Sequence, residues 1–191
     1  KGQYGNCVLG VEPLDKDHAG GFEFVDGTVG GVSPREYMSS IEAGVIEAAE
    51  NGVLAGYPLV DFRAKVVDGS YHEVDSSEIA FKVAGSMALQ DAARRSGVKL
   101  MEPIMKVEVV TPRDYLGDVI GDLNQRRARI NAMNPSPGDT ETIMAFVPLA
   151  EMFGYATALR SSSQGRATYT MEPARYQEVP ASIREELLAK R

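Results

Sequence analysis

The chain has 191 residues and a net charge of −7, with 43% hydrophobic and 25% charged residues. This is the composition of an ordinary globular protein of one or two domains, and it excludes extensive disorder. One cysteine, Cys7, excludes a disulfide framework and a cysteine-cluster metal site, and two histidines, His18 and His72, argue against a multi-histidine metal site. No apolar run approaches the roughly 18 residues of a membrane-spanning helix.

All of the net negative charge lies in the first half. Residues 1–98 carry 8 Lys and Arg against 15 Asp and Glu, whereas residues 99–191 carry 12 of each kind. This break near Gly97 predicts a domain boundary there, and the overall acidity does not suggest simple electrostatic binding of nucleic acid. The opening residues, Lys1 to Gly5, resemble an internal segment of a polypeptide, so we expect the sequence to be a piece of a longer protein.

The first elements in chain order are two short strands. Residues 7–11 are apolar and predict a strand in which Cys7 is a buried core residue. A polar turn at residues 15–21 follows, and we expect its His18 to be inert. Residues 22–26 alternate in polarity and predict a second strand that pairs with the first as a hairpin.

In chain order, a helix, a third strand and a second helix follow. Ser33-Pro34-Arg35-Glu36 has the pattern of a capping box and predicts a helix that ends at Asn51-Gly52. Its core-facing residues at helical spacing are Tyr37, Ile41, Val45 and Ala48. Residues 59–67 alternate as a strand, with Val60, Phe62, Ala64 and Val66 on one face. A second capping box, Asp75 to Glu78, then begins a helix that runs through Ile79, Val83, Met87 and Ala92 to Gly97.

The order β–β–α–β–α determines which loops share one end of this domain. Residues 1–4, 29–34 and 68–75 should lie together at one tip, and both helices should begin there. Helix N-termini favour anionic groups, including phosphates, so such a tip could attract RNA although the domain is acidic.

The second half has the order β–α–β–β–α–β of a ferredoxin-like domain. The predicted strands cover residues 105–109, 130–133, 142–147 and 167–172, and the predicted helices start at Thr111-Pro112 and Glu151. Met152, Tyr155 and Leu159 face the core, and a short helix begins at Ser182. Arginines at 126, 127 and 129, and at 160 and 166, are compatible with a solvated helix face or with a phosphate-contacting patch.

The residues suggest few enzymatic sites. No phosphate-binding loop of the Walker type is present. His72, Asp75 and Ser76 have the residue types of a hydrolytic triad, but they lie within five positions and two of them have capping roles. A small-ligand regulatory role for the second domain is another possibility. From periodicity alone, His72 fits a solvated loop histidine or a functional one.

Several motifs resemble the fourth and fifth domains of bacterial elongation factor G. The fourth-domain motifs are Gly2-Gln3-Tyr4-Gly5, Gly30-Gly31-Val32 and the run from Gly69 to Glu78. The fifth-domain motifs are Glu102 to Met105, Gly117 to Leu123 and Glu151 to Thr157. The resemblance covers essentially the whole chain, while the GTPase, second and third domains of the family are absent from it.

The resemblance implies an α+β fold of two domains: a domain like the second domain of ribosomal protein S5 at 1–98 and a ferredoxin-like domain at 99–178, with a C-terminal helix at 179–191. It also implies that the parent factor hydrolyses GTP and moves tRNA and mRNA through the ribosome. The alternative within the family is a paralogue for ribosome recycling or ribosome protection. The chain itself is then not an enzyme, and GTP and Mg belong to the absent GTPase domain. We expect no catalytic, cofactor-binding or metal-binding residue here.

The resemblance further implies two contact sites on the ribosome. The tip would enter the decoding A site and meet the tRNA and mRNA through Gln3, Ser70, Tyr71, His72 and Glu73, with His72 hydrogen bonding or stacking against RNA. The fifth domain would contact large-subunit RNA near the stalk base through Arg160, Ser161, Gln164 and Arg166. Asn6 departs from the histidine common in the family, which affects contacts of the first loop. We expect a cytoplasmic, monomeric protein with no membrane contact.

Overall fold

The computed structural model describes residues 2–15, 21–29 and 34–190. The chain divides into two compact units, one formed by Lys1–Val98 with Glu185–Arg191 and the other by Lys99–Arg184. Each unit has a sheet of its own, which confirms the predicted α+β class with two sheet-containing domains. His18, Gly30, Gly31, Val32 and Ser33 lie outside the described residues.

The first unit has three strands and two long helices. They are β1 Asn6–Pro13, β2 Phe22–Asp26, α1 Met38–Asn51, β3 Phe62–Ser70 and α2 Glu78–Ser96. The order of elements agrees with the sequence, but β3 lies in the middle of the sheet, antiparallel to β1 and parallel to β2. The predicted hairpin between the first two strands is therefore wrong.

β3 pairs with a neighbouring strand along each of its edges, and side chains on both of its faces make contacts. Its Phe62, Ala64 and Val66 are buried on the core face. On the opposite face, Arg63 forms ion pairs with Glu12 of β1 and Glu23 of β2, which raise the pKa of the guanidinium. The strand also lies further along the chain than predicted, since it ends at Ser70 while Val60 is 59% exposed.

α1 buries the predicted residues but begins with a tighter turn. A 3-10 turn, Arg35–Tyr37, precedes it, and the Tyr37 N–H donates to the Pro34 carbonyl at 2.8 Å. Ile41, Val45 and Ala48 are buried, and Tyr37 packs partly buried against the same core. The helix ends at Asn51, and its C-cap residue Gly52 has a φ of 73°.

α2 exposes three of the four apolar residues through which the sequence predicted it to run. The exposed fractions of three predicted positions are 74% for Ile79, 52% for Val83 and 65% for Met87. The buried residues are Phe81, Gly85, Leu89 and Ala93. The exposed residues and the buried residues both recur every four positions, so spacing alone does not show which face of the helix is buried. Gly85 decides, because a Cβ there would lie 2.5 Å from the Ile41 carbonyl oxygen, and only a glycine lets α2 approach α1 so closely.

The second unit is a four-stranded antiparallel sheet with two helices on one face, in the ferredoxin-like order β5-β6-β4-β7. Its elements are β4 Met101–Pro112, α3 Leu116–Gln125, β5 Arg129–Ser136, β6 Thr140–Pro148, α4 Tyr155–Ser162 and β7 Thr168–Glu178, and α5 Ala181–Ala189 follows them. Val107, Val109, Ile143 and Leu123 are fully buried between sheet and helices. β4, β5 and β7 extend beyond their predicted ends because pairing with neighbouring strands continues where side-chain alternation stops.

Candidate functional site

One end of the first unit collects five chain segments. β1 and α2 start there, β2 and β3 end there, and Pro34 leads from there into α1. A Cβ added to Gly69 would lie 3.1 Å from Pro34, which shows how close the segments are. We call residues 2–6, 26–29 and 68–77 the tip. The described parts of the three predicted tip loops are therefore brought together.

Tyr4 joins the first tip segment to the loop after β3. Its N–H donates to the Asp75 carbonyl at 2.8 Å, and its hydroxyl lies 2.8 Å from the Ser70 hydroxyl. Its own carbonyl accepts from the Ser76 hydroxyl at 3.0 Å. The two segments are thus tied by both backbone and side-chain bonds, although they lie about seventy residues apart in the sequence.

The loop from His72 to Ser76 is closed by two hydrogen bonds. The His72 N–H donates to the Ser76 hydroxyl at 2.8 Å, and the Ser76 N–H donates to the His72 carbonyl at 3.0 Å. The next residue, Ser77, is the N-cap of α2, and its hydroxyl accepts from the Ala80 N–H at 3.1 Å. The predicted cap at Asp75 is therefore two residues too early, because the loop needs Asp75 and Ser76 before the helix can begin.

The His72 ring is more than half exposed, at 59% of its side-chain surface. The Val74 N–H donates to Nδ1 at 3.3 Å, so in the neutral ring the proton is on Nε2, which serves as a donor. Asp75 Oδ2 lies 3.7 Å from Nδ1, and the Tyr4 ring approaches edge-on at 6.3 Å between centroids. A loop histidine held in this way can offer both a ring face and a hydrogen-bond donor.

The three residues of the hydrolytic hypothesis do not form a proton relay. Asp75 is near the ring, but the Ser76 hydroxyl is occupied by the His72 N–H and the Tyr4 carbonyl. A nucleophilic serine needs its hydroxyl hydrogen-bonded to the imidazole that acts as its base. This geometry therefore gives no support to the hydrolase hypothesis.

The other predicted tip residues divide into a bonded pair and an exposed pair. The Gln3 side-chain oxygen accepts from Ser77 at 3.0 Å, and Ser70 also accepts from the Asn6 side chain at 3.2 Å. Tyr71 is 42% exposed and Glu73 is exposed. Sequence reasoning missed the structural importance of Tyr4 and Ser76, because nothing in local spacing shows that segments so distant in sequence pair.

Carboxylates dominate the electrostatics of the tip. Asp26, Asp68, Glu73 and Asp75 all lie in its three segments. The Thr28 hydroxyl and N–H donate to Asp26 at 2.6 and 3.0 Å and lower the pKa of that carboxyl. The tip thus differs from a phosphate-binding site, which would be expected to carry several cations.

A second exposed site lies where α4 passes into β7, and we call residues 160–166 the arginine loop. Within this loop, Ser163 is fully buried. Its hydroxyl donates to the Leu159 carbonyl at 2.6 Å and accepts from the Ala167 N–H at 3.1 Å. The Gly165 N–H donates to the Arg160 carbonyl at 2.8 Å. Gln164 and Gly165 both have positive φ, 52° and 76°, which reverses the chain tightly.

The predicted contact residues of this loop all point away from the core. Arg160, Gln164 and Arg166 are exposed, and so is Ser161. Within the described part of the chain, the guanidinium groups of Arg160 and Arg166 form no ion pair. The loop can therefore offer two unpaired cations to an anionic partner.

Two arginines of the other cluster serve the fold instead. Arg126 pairs with Asp122 at 2.8 Å, donates to the Glu151 carbonyl at 2.6 Å and lies over the Tyr155 ring. Arg127 binds Glu102, and this hydrogen bond raises the pKa of Arg127. These contacts favour a structural role for the pair over a phosphate-contacting one.

Cysteine and acidic side chains do not gather into a metal site in the described ranges. Among those residues, no group of three or more His, Cys, Asp or Glu side chains is arranged to hold a metal ion. No described helix is both long enough and apolar enough to cross a bilayer. Cys7 is half-buried against the first core, less than predicted, and burial raises the pKa of its thiol.

Comparison with known proteins agrees with both units. Residues 1–97 match the family model for elongation factor G, domain IV, and residues 99–187 match the model for the elongation factor G C-terminus. A crystal structure of a protein from Thermus thermophilus is similar at 40% identity and a TM-score of 0.81. That alignment covers 98% of this chain and 28% of the other.

The matched pair of domains defines a translation-factor module of the kind that works in protein biosynthesis. The chain belongs to the elongation factor G family, as its motifs predicted. It spans less than a third of the length of the structure it matches. The domains of this family imply interaction with the ribosome in general.

Proposed function

We propose that this chain is the ribosome-contacting part of a GTPase that translocates tRNA and mRNA. The observation that carries the proposal is the tip, where segments from across the first unit combine to expose Tyr71 and His72 on a hydrogen-bonded support. In this role the tip enters the decoding A site of the small subunit. The His72 ring contacts the tRNA–mRNA helix by stacking or through its Nε2–H, and Gln3, Ser70 and Glu73 complete the contact.

The second unit contributes the large-subunit contact in this proposal. Arg160 and Arg166 would bind RNA phosphates near the stalk base, with Ser161 and Gln164 as additional donors. The parent protein would supply GTP hydrolysis, with GTP and Mg bound in a domain outside this chain. The parent would act as a monomer in the cytoplasm.

A graft tests the proposal. The chain replaces the fourth and fifth domains of a complete translocase, and mRNA movement is followed by toeprinting while GTP hydrolysis is measured in parallel. We expect the graft to move mRNA, and His72→Ala to slow that movement while hydrolysis persists. Val60→Ala is the matched control, because Val60 is also exposed in the first unit but lies at the opposite end of β3.

The outcomes separate the alternatives. A graft that hydrolyses GTP without moving mRNA would favour a recycling or protection paralogue. Equal movement in the His72→Ala and parent grafts would contradict the role given to the tip. Turnover of a hydrolase substrate by the isolated chain, abolished in His72→Ala, would instead favour a free-standing enzyme.

A further inference from the structure

We propose that Ser76 is the positioning residue of the tip, which holds the His72 loop in the orientation that meets RNA. The consequence for RNA rests on the proposed function, whereas the positioning itself does not. The Ser76 hydroxyl uses both of its hydrogen-bonding directions, accepting from the His72 N–H at 2.8 Å and donating to the Tyr4 carbonyl at 3.0 Å. Through this one oxygen atom, the His72 backbone is joined to the first tip segment.

The effect on the ring follows from the backbone. The imidazole is more than half exposed, and its ring contacts are a 3.3 Å bond from the Val74 N–H, Asp75 Oδ2 at 3.7 Å from Nδ1 and an edge contact with Tyr4. Val74 and Asp75 belong to the same short loop as His72, so the direction of the ring depends on how firmly the backbone of that loop is held. Without the Ser76 hydroxyl, the His72 N–H loses its acceptor, while the loop keeps the bond from the Ser76 N–H to the His72 carbonyl and the bond from the Tyr4 N–H to the Asp75 carbonyl.

The neighbouring serine provides a matched control. Ser77 has the same side chain and also bonds to the first tip segment, through Gln3 at 3.0 Å. Its hydroxyl accepts from the Ala80 N–H, however, and so caps α2 rather than holding His72. Tyr4→Phe is a second control, since it removes the bond to Ser70 but keeps the Tyr4 carbonyl that Ser76 uses.

Amide hydrogen exchange on the 191-residue chain tests the positioning directly. In Ser76→Ala we expect the His72 amide to exchange about fivefold faster, since a net hydrogen bond is worth about 1 kcal/mol. Ser76→Thr keeps a hydroxyl and should restore slow exchange. Ser77→Ala should accelerate Ala80 and not His72, and Tyr4→Phe should leave His72 unchanged. Unchanged exchange at His72 in Ser76→Ala would overturn the proposal.

The graft into a complete translocase tests the consequence for RNA. We expect Ser76→Ala to lower mRNA movement per GTP hydrolysed toward the level of His72→Ala, and Ser76→Thr to restore it. If His72→Ala slows movement but Ser76→Ala does not, the consequence of Ser76 for RNA contact is overturned while the proposed function stands. If His72→Ala has no effect, the proposed function fails, and the exchange experiment still decides whether Ser76 positions the loop.

Discussion

The tip and the arginine loop present polar groups to solvent in opposite ways. At the tip, side chains form hydrogen bonds between residues 64 to 74 positions apart in the sequence. In the arginine loop, short-range backbone bonds and the buried Ser163 fix the path of the chain, and within the described ranges its two arginines form no ion pair. The tip is therefore built by the fold of the whole unit, and the loop by bonds within residues 159–167.

The tip and the arginine loop also differ in the sign of the charge that they expose. Four carboxylates lie at the tip, whereas the loop exposes the guanidinium groups of Arg160 and Arg166. In the proposed function, a surface with such carboxylates recognises RNA through neutral donors, ring faces and shape, because its charge repels phosphates. A pair of exposed guanidinium groups can bind phosphates directly. The proposed function thus predicts two modes of contact with different responses to salt.

The largest expected effect concerns the helix that supports the tip. Leu89→Ala should lower the free energy of unfolding of the first unit by about 2–5 kcal/mol, because Leu89 is fully buried. Met87→Ala should change it by less than about 0.5 kcal/mol, because Met87 is 65% exposed. Denaturant titration followed at amide signals of the first unit measures both. Equal decreases would mean that Met87 is buried as deeply as Leu89.

A smaller effect separates the two contact modes. In Arg160→Ala/Arg166→Ala, the slope of log affinity for the large subunit against log salt should become shallower by about one for each phosphate that is no longer bound. Tyr71→Ala should leave the slope unchanged, because Tyr71 carries no charge. Binding titrations over a range of salt concentrations measure the slopes. A double variant with the parental slope would show that the loop does not bind phosphates.

The smallest effect is a local change at the tip. Thr28→Val removes the hydroxyl bond that contributes most to lowering the pKa of Asp26, so that pKa should rise toward its ordinary value while the Thr28 N–H bond remains. A carboxyl whose pKa is lowered in the folded state stabilises the fold at pH values above its ordinary pKa, and this effect disappears as the pH falls through the folded pKa. An NMR titration of the carboxyl group measures the change. Thr28→Ser retains a hydroxyl and should keep the low pKa; a low value in Thr28→Val would contradict the assignment.

Much of the arginine loop could be predicted from the sequence, but only part of the tip could. Arg160 and Arg166 are near neighbours in the chain, so their common exposure follows from one short segment. At the tip, strand order alone indicated that the loops meet. The bonds from Tyr4 to Ser70 and Ser76 required the register of β1 against β3, which pairs Asn6 with Ser70. No local pattern encodes that register, since it depends on how the whole core packs.

The sequence by itself determined the family, the α+β class, the order of elements and the loops that share the tip. Motifs and periodicity are local properties of the sequence, so they can be recognised without knowing how distant segments of the chain pack together. Only the tertiary structure decided that β3 lies between β1 and β2, that the Gly85 face of α2 is the buried one, and that Ser76 bonds to His72. Each of these depends on close approach of chain segments that local patterns do not specify, where burial and backbone contact outweigh local preference.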